Sequence, residues 1–173
     1  PMLHRAIEQF LSDVFWGDLD ILLVDLPPGT GDVAISLGQL LPTAQTVVVT
    51  TPQISASEVA ERSGAVGLQT GQAVFGVIEN MSYLEQEGKR IELFGSGGGE
   101  LVAKSLRALS RTEVPLLGKV PISVALREGS DAGRPLAAGD SKDPAAVEID
   151  LIAGLLANQS RGLSGRKLNL EPK

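Results

Sequence analysis

Four apolar runs separated by stretches of helical spacing limit what this chain can fold into more than any other feature. "DILLVDL" (20–26), "QTVVVTTP" (45–52), "AVFGVIENM" (73–81) and "PLLGKVPI" (115–122) read as strands, the first two of the kind a parallel sheet buries on both faces. Leu3, Ile7, Phe10, Leu11 and Val14 recur at helical spacing and predict a helix over 3–16, with Pro1 suited to its first turn. A short helix is predicted over 33–41. Ser55 with Glu58 three residues on has the form of a capping box and predicts a helix starting there. "YLEQEGKRIELF" alternates around Glu87-Gly88, which predicts a small hairpin. "GSGGGELVAKSLRAL" predicts a flexible loop feeding a helix, and Asp143-Pro144 opens a last helix through about Asn158. Strands alternating with helices predict a three-layer α/β domain with a mostly parallel sheet over 1–158. A loose polar tail follows over 159–173.

The 173 residues suffice for one domain with a core. Aromatics make up only 3%, so that core must be built from Leu, Val, Ile and Ala. The formal net charge of −6 argues against nucleic acid as a main partner, because a phosphate backbone needs a clustered basic surface. No apolar run approaches the roughly 18 residues of a membrane-spanning helix. The opening "PMLHRAIEQF", with Glu8 inside it, lacks the pattern of a signal peptide, so a cytoplasmic location is expected. There is no cysteine, so these residues supply no disulfide, thiolate metal site or iron–sulfur ligand. The single histidine, His4, falls in a predicted helix far from the aspartate loop and reads as a surface or packing residue.

Ligands of open α/β sheets bind beyond the carboxyl ends of the strands. Asp25 ends the first apolar run and is followed by Leu26-Pro27-Pro28-Gly29-Thr30-Gly31-Asp32. An acid at a strand tip can hold Mg²⁺ through water beside a nucleotide, and glycines let backbone N–H groups approach a phosphate. An aspartate there can equally cap the next helix. Asn80, in a predicted loop "ENMS" after the third strand, offers a donor and an acceptor that match a purine edge. Asparagine is also a routine turn former. The stretch from Pro121 to Gly133 could wrap a base or ribose, or be only a turn. "FGSGGGE" lacks the Lys-Ser/Thr of a Walker A motif and follows a hairpin, so it reads as a mobile loop.

In order and spacing, "WGDLDILLVDLPPGTGDVAISLGQLLP", "VVVTTPQISASEVAER", "GVIENMS", "FGSGGGE" and "VPLLGKVPI" resemble the Mrp (ApbC-like) family of ATPases. That family belongs to the MinD/ParA-like P-loop group with a deviant Walker A motif. The resemblance runs from Pro1 to about Leu156. It implies a P-loop NTPase-like fold that usually dimerises, with ATP and Mg²⁺ near the dimer interface. It also implies carriage or assembly of iron–sulfur clusters for client proteins. By the same resemblance, Asp25 is the Walker B-like acid that acts on Mg²⁺ through water. Pro27, Pro28, Gly29, Thr30 and Gly31 form the switch loop that senses the γ-phosphate. Asn80 contacts adenine, and Pro121 lies near the base.

Two departures from the family pattern stand out. Its phosphate-binding half, a glycine-rich loop with two lysines of the type GKGGVGKS, is absent from these residues, and the resemblance places it upstream of Pro1 with its strand. That strand would lie between the 20–26 and 46–49 strands. Without it, unpaired backbone and apolar faces are expected in mid-sheet. We therefore expect poor folding, exchange of elements with a second copy, or a rearranged sheet, and little or no hydrolysis from the segment alone. Many family members also carry a Cys-x-x-Cys pair after "ENMS" that bridges a cluster across the dimer. Here a charged hairpin stands instead, without thiolates. A non-catalytic module, in which nucleotide binding switches dimerisation or docking, is the second reading.

Overall fold

The computed structural model describes residues 2–27 and 31–158, so the predicted tail lies outside the described residues. Its sheet is organised around one long strand. This strand, β2 (Ala73–Gln86), pairs in parallel with β1 (Gln45–Thr50) on one side and β4 (Leu116–Ile122) on the other. Its far end folds back on β3 (Lys89–Ile91), antiparallel, with Leu84 opposite Ile91 and Gln86 opposite Lys89. Glu87 (φ 53°) and Gly88 (φ 72°) make the turn, and two positive φ values match the twist of the flanking strands. The predicted hairpin is therefore present, but it grows out of β2 rather than standing apart.

Six helices accompany the sheet among the described residues: α1 (Met2–Ser12), α2 (Asp32–Leu40), α3 (Ile54–Gln69), α4 (Gly98–Ser110), α5 (Val124–Asp131) and α6 (Pro144–Ala157). Successive strand residues point to opposite faces. Val77 joins Val48, Ala60, Val74, Val102, Ala103, Leu106 and Val114 in a core under α3 and α4. Its neighbour Ile78 packs with Leu117, Val120, Ala145, Ile149 and Ile152 under α6. The result is the expected three-layer α/β arrangement with a mostly parallel sheet.

Asp143 caps α6 by accepting the Ala145 N–H at 2.9 Å, with Pro144 at the first helical position. The capping box at Ser55 is not formed. Helix α3 starts right after the Pro52–Gln53 bend, so Ser55 already lies in its first turn, and Gln53 is an N-cap without a side-chain bond. Helix α1 stops at Ser12 instead of running to Trp16, because the chain bends back and sets the Trp16 ring edge-on to Phe10, 5.0 Å away. "FGSGGGE" is only partly a loop. Gly98 and Gly99 are the buried first turn of α4.

The largest departure is the run 20–26, which forms no strand. Ile21, Leu22, Leu23, Val24 and Leu26 are 37–75% exposed. A strand exists only by pairing with a neighbour, and among the described residues β1 pairs with β2 alone. Val49 on β1 is likewise 57% exposed. The segment lies next to α1 and α2, which pack on each other, and α2 in turn leans on α3.

Candidate functional site

Strand β1 ends level with Glu79, and the chemistry gathers around that point of the sheet. Thr50, Glu79 and Lys119 stand in one row across β1, β2 and β4, and Asn80 is paired with Val120, one residue before Pro121. Asn80 therefore shares its face with Val120, and Pro121 is the next residue along β4. "ENMS" is not a loop after the strand. It is an irregularity inside β2, where the register with β4 slips between Asn80 and Leu84. Met81 takes a positive φ of 56°, a conformation that non-glycine residues rarely adopt. Its N–H donates to Asn80 Oδ1 at 2.9 Å.

Glu79 is the residue that sequence reasoning missed. Its side chain is buried, 1% exposed, and its carboxylate has polar partners. Oε2 accepts the Gly99 N–H at 2.7 Å, and Oε1 accepts the Ser82 hydroxyl at 2.9 Å. The same hydroxyl lies 2.8 Å from the Glu79 carbonyl oxygen. Lys119 Nζ is 3.8 Å from Glu79 and 2.6 Å from Glu100. A glutamate inside the apolar run "AVFGVIENM" was the available signal, since a charge is buried only where partners await it.

The glycines of "GSGGG" make this arrangement possible. A Cβ on Gly98 would sit 2.5 Å from the Thr51 carbonyl oxygen and 2.7 Å from that of Pro52; one on Gly99 would sit 2.8 Å from Glu79 Cβ. Only glycine lets the start of α4 lie this close to the ends of β1 and β2. A helix N-terminus attracts anions, and here Glu79 supplies the carboxylate. Beside it, Thr51 Oγ1 is buried without a hydrogen-bond partner among the described residues.

The second group of predicted residues flanks α2. Asp25 is exposed and borders an apolar cleft of about 230 Å³ with Phe10, Leu11, Val33 and Leu37. It does not cap the next helix: the N-cap of α2 is Gly31, with extended backbone (φ −72°, ψ 172°) and no side-chain cap. Pro27 is exposed and outside any regular element. Pro28, Gly29 and Thr30 lie outside the described residues. Among the described residues no cluster of three His, Cys, Asp or Glu side chains could hold a metal ion directly.

Pro121 is buried near the end of β4, an edge strand, where a missing N–H is tolerated. The stretch after it holds helix α5. Ser123 caps it by accepting the Leu126 N–H at 3.0 Å while donating to Asp143 at 2.8 Å. A separate cleft of about 410 Å³ opens between the hairpin and β4, lined by Tyr83, Arg90, Glu92, Lys119 and Glu148. It shares Glu79 and Ser82 with the buried network but does not include Asn80. The Arg90 guanidinium lies 4.3 Å from the centre of the Tyr83 ring.

Comparison with known proteins decides the family. A family model described as "ParA: NUBPL iron-transfer P-loop NTPase" matches residues 1–157. The chain belongs to this family of iron-transfer P-loop NTPases. It is 53% identical over 173 residues to an iron-sulfur cluster carrier protein of Mycobacterium leprae, covering 99% of this chain and 45% of the relative. It thus spans about half the length of that relative. Among solved structures, it is similar to a nucleotide-binding protein in complex with ADP from Archaeoglobus fulgidus. That likeness has a TM-score of 0.63 and 38% identity and covers 77% of this chain and 53% of the other. The cell-division ATPase MinD of Pyrococcus furiosus shares the fold, with a TM-score of 0.60 at 23% identity over 89% of this chain and 56% of that one. The P-loop NTPase fold expected from the resemblance is thereby established, and no helix among the described residues is long and apolar enough to cross a membrane.

Proposed function

We propose that these residues form the base-binding and switch side of a Mg²⁺-ATP site in a homodimeric ATPase that carries iron–sulfur clusters to client proteins in the cytoplasm. The observation that carries this reading is the pairing of Asn80 with Val120. It puts Asn80 level with the residue before Pro121, toward the carboxyl ends of the parallel strands, where ligands of such sheets bind. Because Asn80 Oδ1 already accepts the Met81 N–H, the amide nitrogen is the group left to donate to an acceptor on a base. The unpartnered Thr51 hydroxyl at the same end fits a ligand there.

Asp25, an exposed carboxylate, fits a magnesium ion held through water. Mg²⁺, when bound, offsets negative charge on the phosphate oxygens. Residues 27–31 would then sense the γ-phosphate. The lysines that cradle phosphate are not among these residues, so on this reading they come from polypeptide beyond them. The cluster is cargo, and 173 residues without cysteine offer it no thiolate.

Calorimetric titration of the full-length protein with Mg-ATP tests the base contact. Asn80→Ala is expected to weaken binding by roughly tenfold, the worth of one hydrogen bond at the upper end of its range. Unchanged affinity would refute it. A nucleotide-switched docking module is the second reading. It is favoured by the hairpin, where Arg90 stacked on Tyr83 occupies the place at which the resemblance expects cysteines. Asp25→Asn separates the two: the catalytic reading predicts lost turnover, and the docking reading predicts retained partner capture.

A further inference from the structure

We propose that Glu79, together with Ser82, is a positioning residue that fixes the Asn80 carboxamide for the base; this rests on the base-contact reading of Asn80. A charge inside an apolar strand destabilises a fold unless its partners are complete, and an aliphatic residue here would pack without that cost. The partners of Glu79 come from three elements: Ser82 of β2, Gly99 of α4 and Lys119 of β4. They anchor the strand immediately before Asn80.

Ser82 then closes a ring over Asn80 and Met81. Its hydroxyl reaches back to the Glu79 carbonyl oxygen (2.8 Å) and carboxylate (2.9 Å). Closing that ring holds Met81 at φ 56°. In this conformation the Met81 N–H meets Asn80 Oδ1 at 2.9 Å. That bond fixes the rotation of the carboxamide, with its oxygen committed to the backbone and its nitrogen left over. Strained backbone of this kind persists where the surroundings over-determine it, as the Glu79 contacts do here. Without the ring, Met81 relaxes to ordinary φ, Asn80 loses its intramolecular bond, and ligand binding must order the side chain.

The test uses two ligands on the full-length protein: Mg-ATP, and Mg-tripolyphosphate, which has phosphates but no base. Ser82→Ala is expected to weaken Mg-ATP by about fivefold to tenfold, while tripolyphosphate binding changes less than about twofold. Added to Asn80→Ala, Ser82→Ala should produce no further loss, because both act through one contact. Glu79→Ala should weaken Mg-ATP more than Glu79→Gln, which keeps an acceptor for Gly99. If Glu79→Ala does not fold, Ser82→Ala still decides, since it leaves the Gly99 and Lys119 contacts in place. Equal losses for both ligands, or losses additive with Asn80→Ala, would mean a purely structural role and overturn the proposal. Unchanged Mg-ATP affinity in Ser82→Ala, with weakened binding in Asn80→Ala, would overturn it and leave the base contact standing. No effect of Asn80→Ala would overturn both.

Discussion

Lys119 Nζ lies 2.6 Å from the Glu100 carboxylate and ties β4 to the first turn of α4. Their hydrogen bond is the main reason that Glu100 titrates below the usual glutamate range and Lys119 above the usual lysine range; burial opposes both shifts. Both side chains are roughly half exposed, so the pair contributes no more than about 1 kcal/mol. The Glu100 contribution is complete above its unfolded-state pKa and is lost as pH falls through the depressed folded value. The Lys119 contribution is complete below its unfolded-state pKa and is lost as pH rises through the raised folded value. Urea-unfolding midpoints of the parent and Glu100→Gln should therefore differ at pH 7 and converge only in acid, once the pH has fallen below the depressed folded value.

The glycines at the head of α4 make a second prediction. A Cβ on Gly98 would meet two backbone carbonyl oxygens, which cannot swing aside as a flexible side chain can. Gly98→Ala should destabilise the protein by about 1–3 kcal/mol in chemical denaturation. Gly139 has extended backbone and open space around its Cβ position, so Gly139→Ala should stay within about 0.5 kcal/mol of the parent.

Leu106 is fully buried at the centre of the cluster that joins α3 and α4 to the sheet. Leu106→Ala removes most of its side chain from the cluster it shares with Val48 and Val77 and opens a cavity. The expected loss is about 2–5 kcal/mol, read from the same denaturation curves.

The exposed run 20–26 is expected to behave differently in different contexts. Five large apolar side chains in a run that joins no strand are costly to leave in water. On the proposed reading, further polypeptide covers them. Amide hydrogen exchange at 21–24 should be fast in the 173-residue chain alone and slow in the full-length protein. Equally fast exchange in both would contradict that reading.

These residues also show what a sequence makes legible. Runs such as "QTVVVT" and "PLLGKV" find their partner strand, β2, among the described residues, so apolar continuity identifies β1 and β4. "DILLVDL" looks the same, yet its strand character depends on a neighbour that the described residues do not supply. Asn80 was visible as a polar group at a strand end. Its real constraint was not, because it comes from Gly99 and Lys119, 19 and 39 positions further along the sequence. Ser55 and Glu58 have the spacing of a cap, but α3 starts two residues too early for them to act as one, with Gln53 at the N-cap.

The most direct test of the proposed function is ATP turnover by the full-length protein with Asp25→Asn at saturating Mg-ATP. Asp25 is held to act on the metal and not on the base, so binding should survive while hydrolysis falls by roughly 100-fold, the scale on which a lost electrostatic contact at a reacting phosphate is felt. Turnover equal to that of the parent would contradict the account.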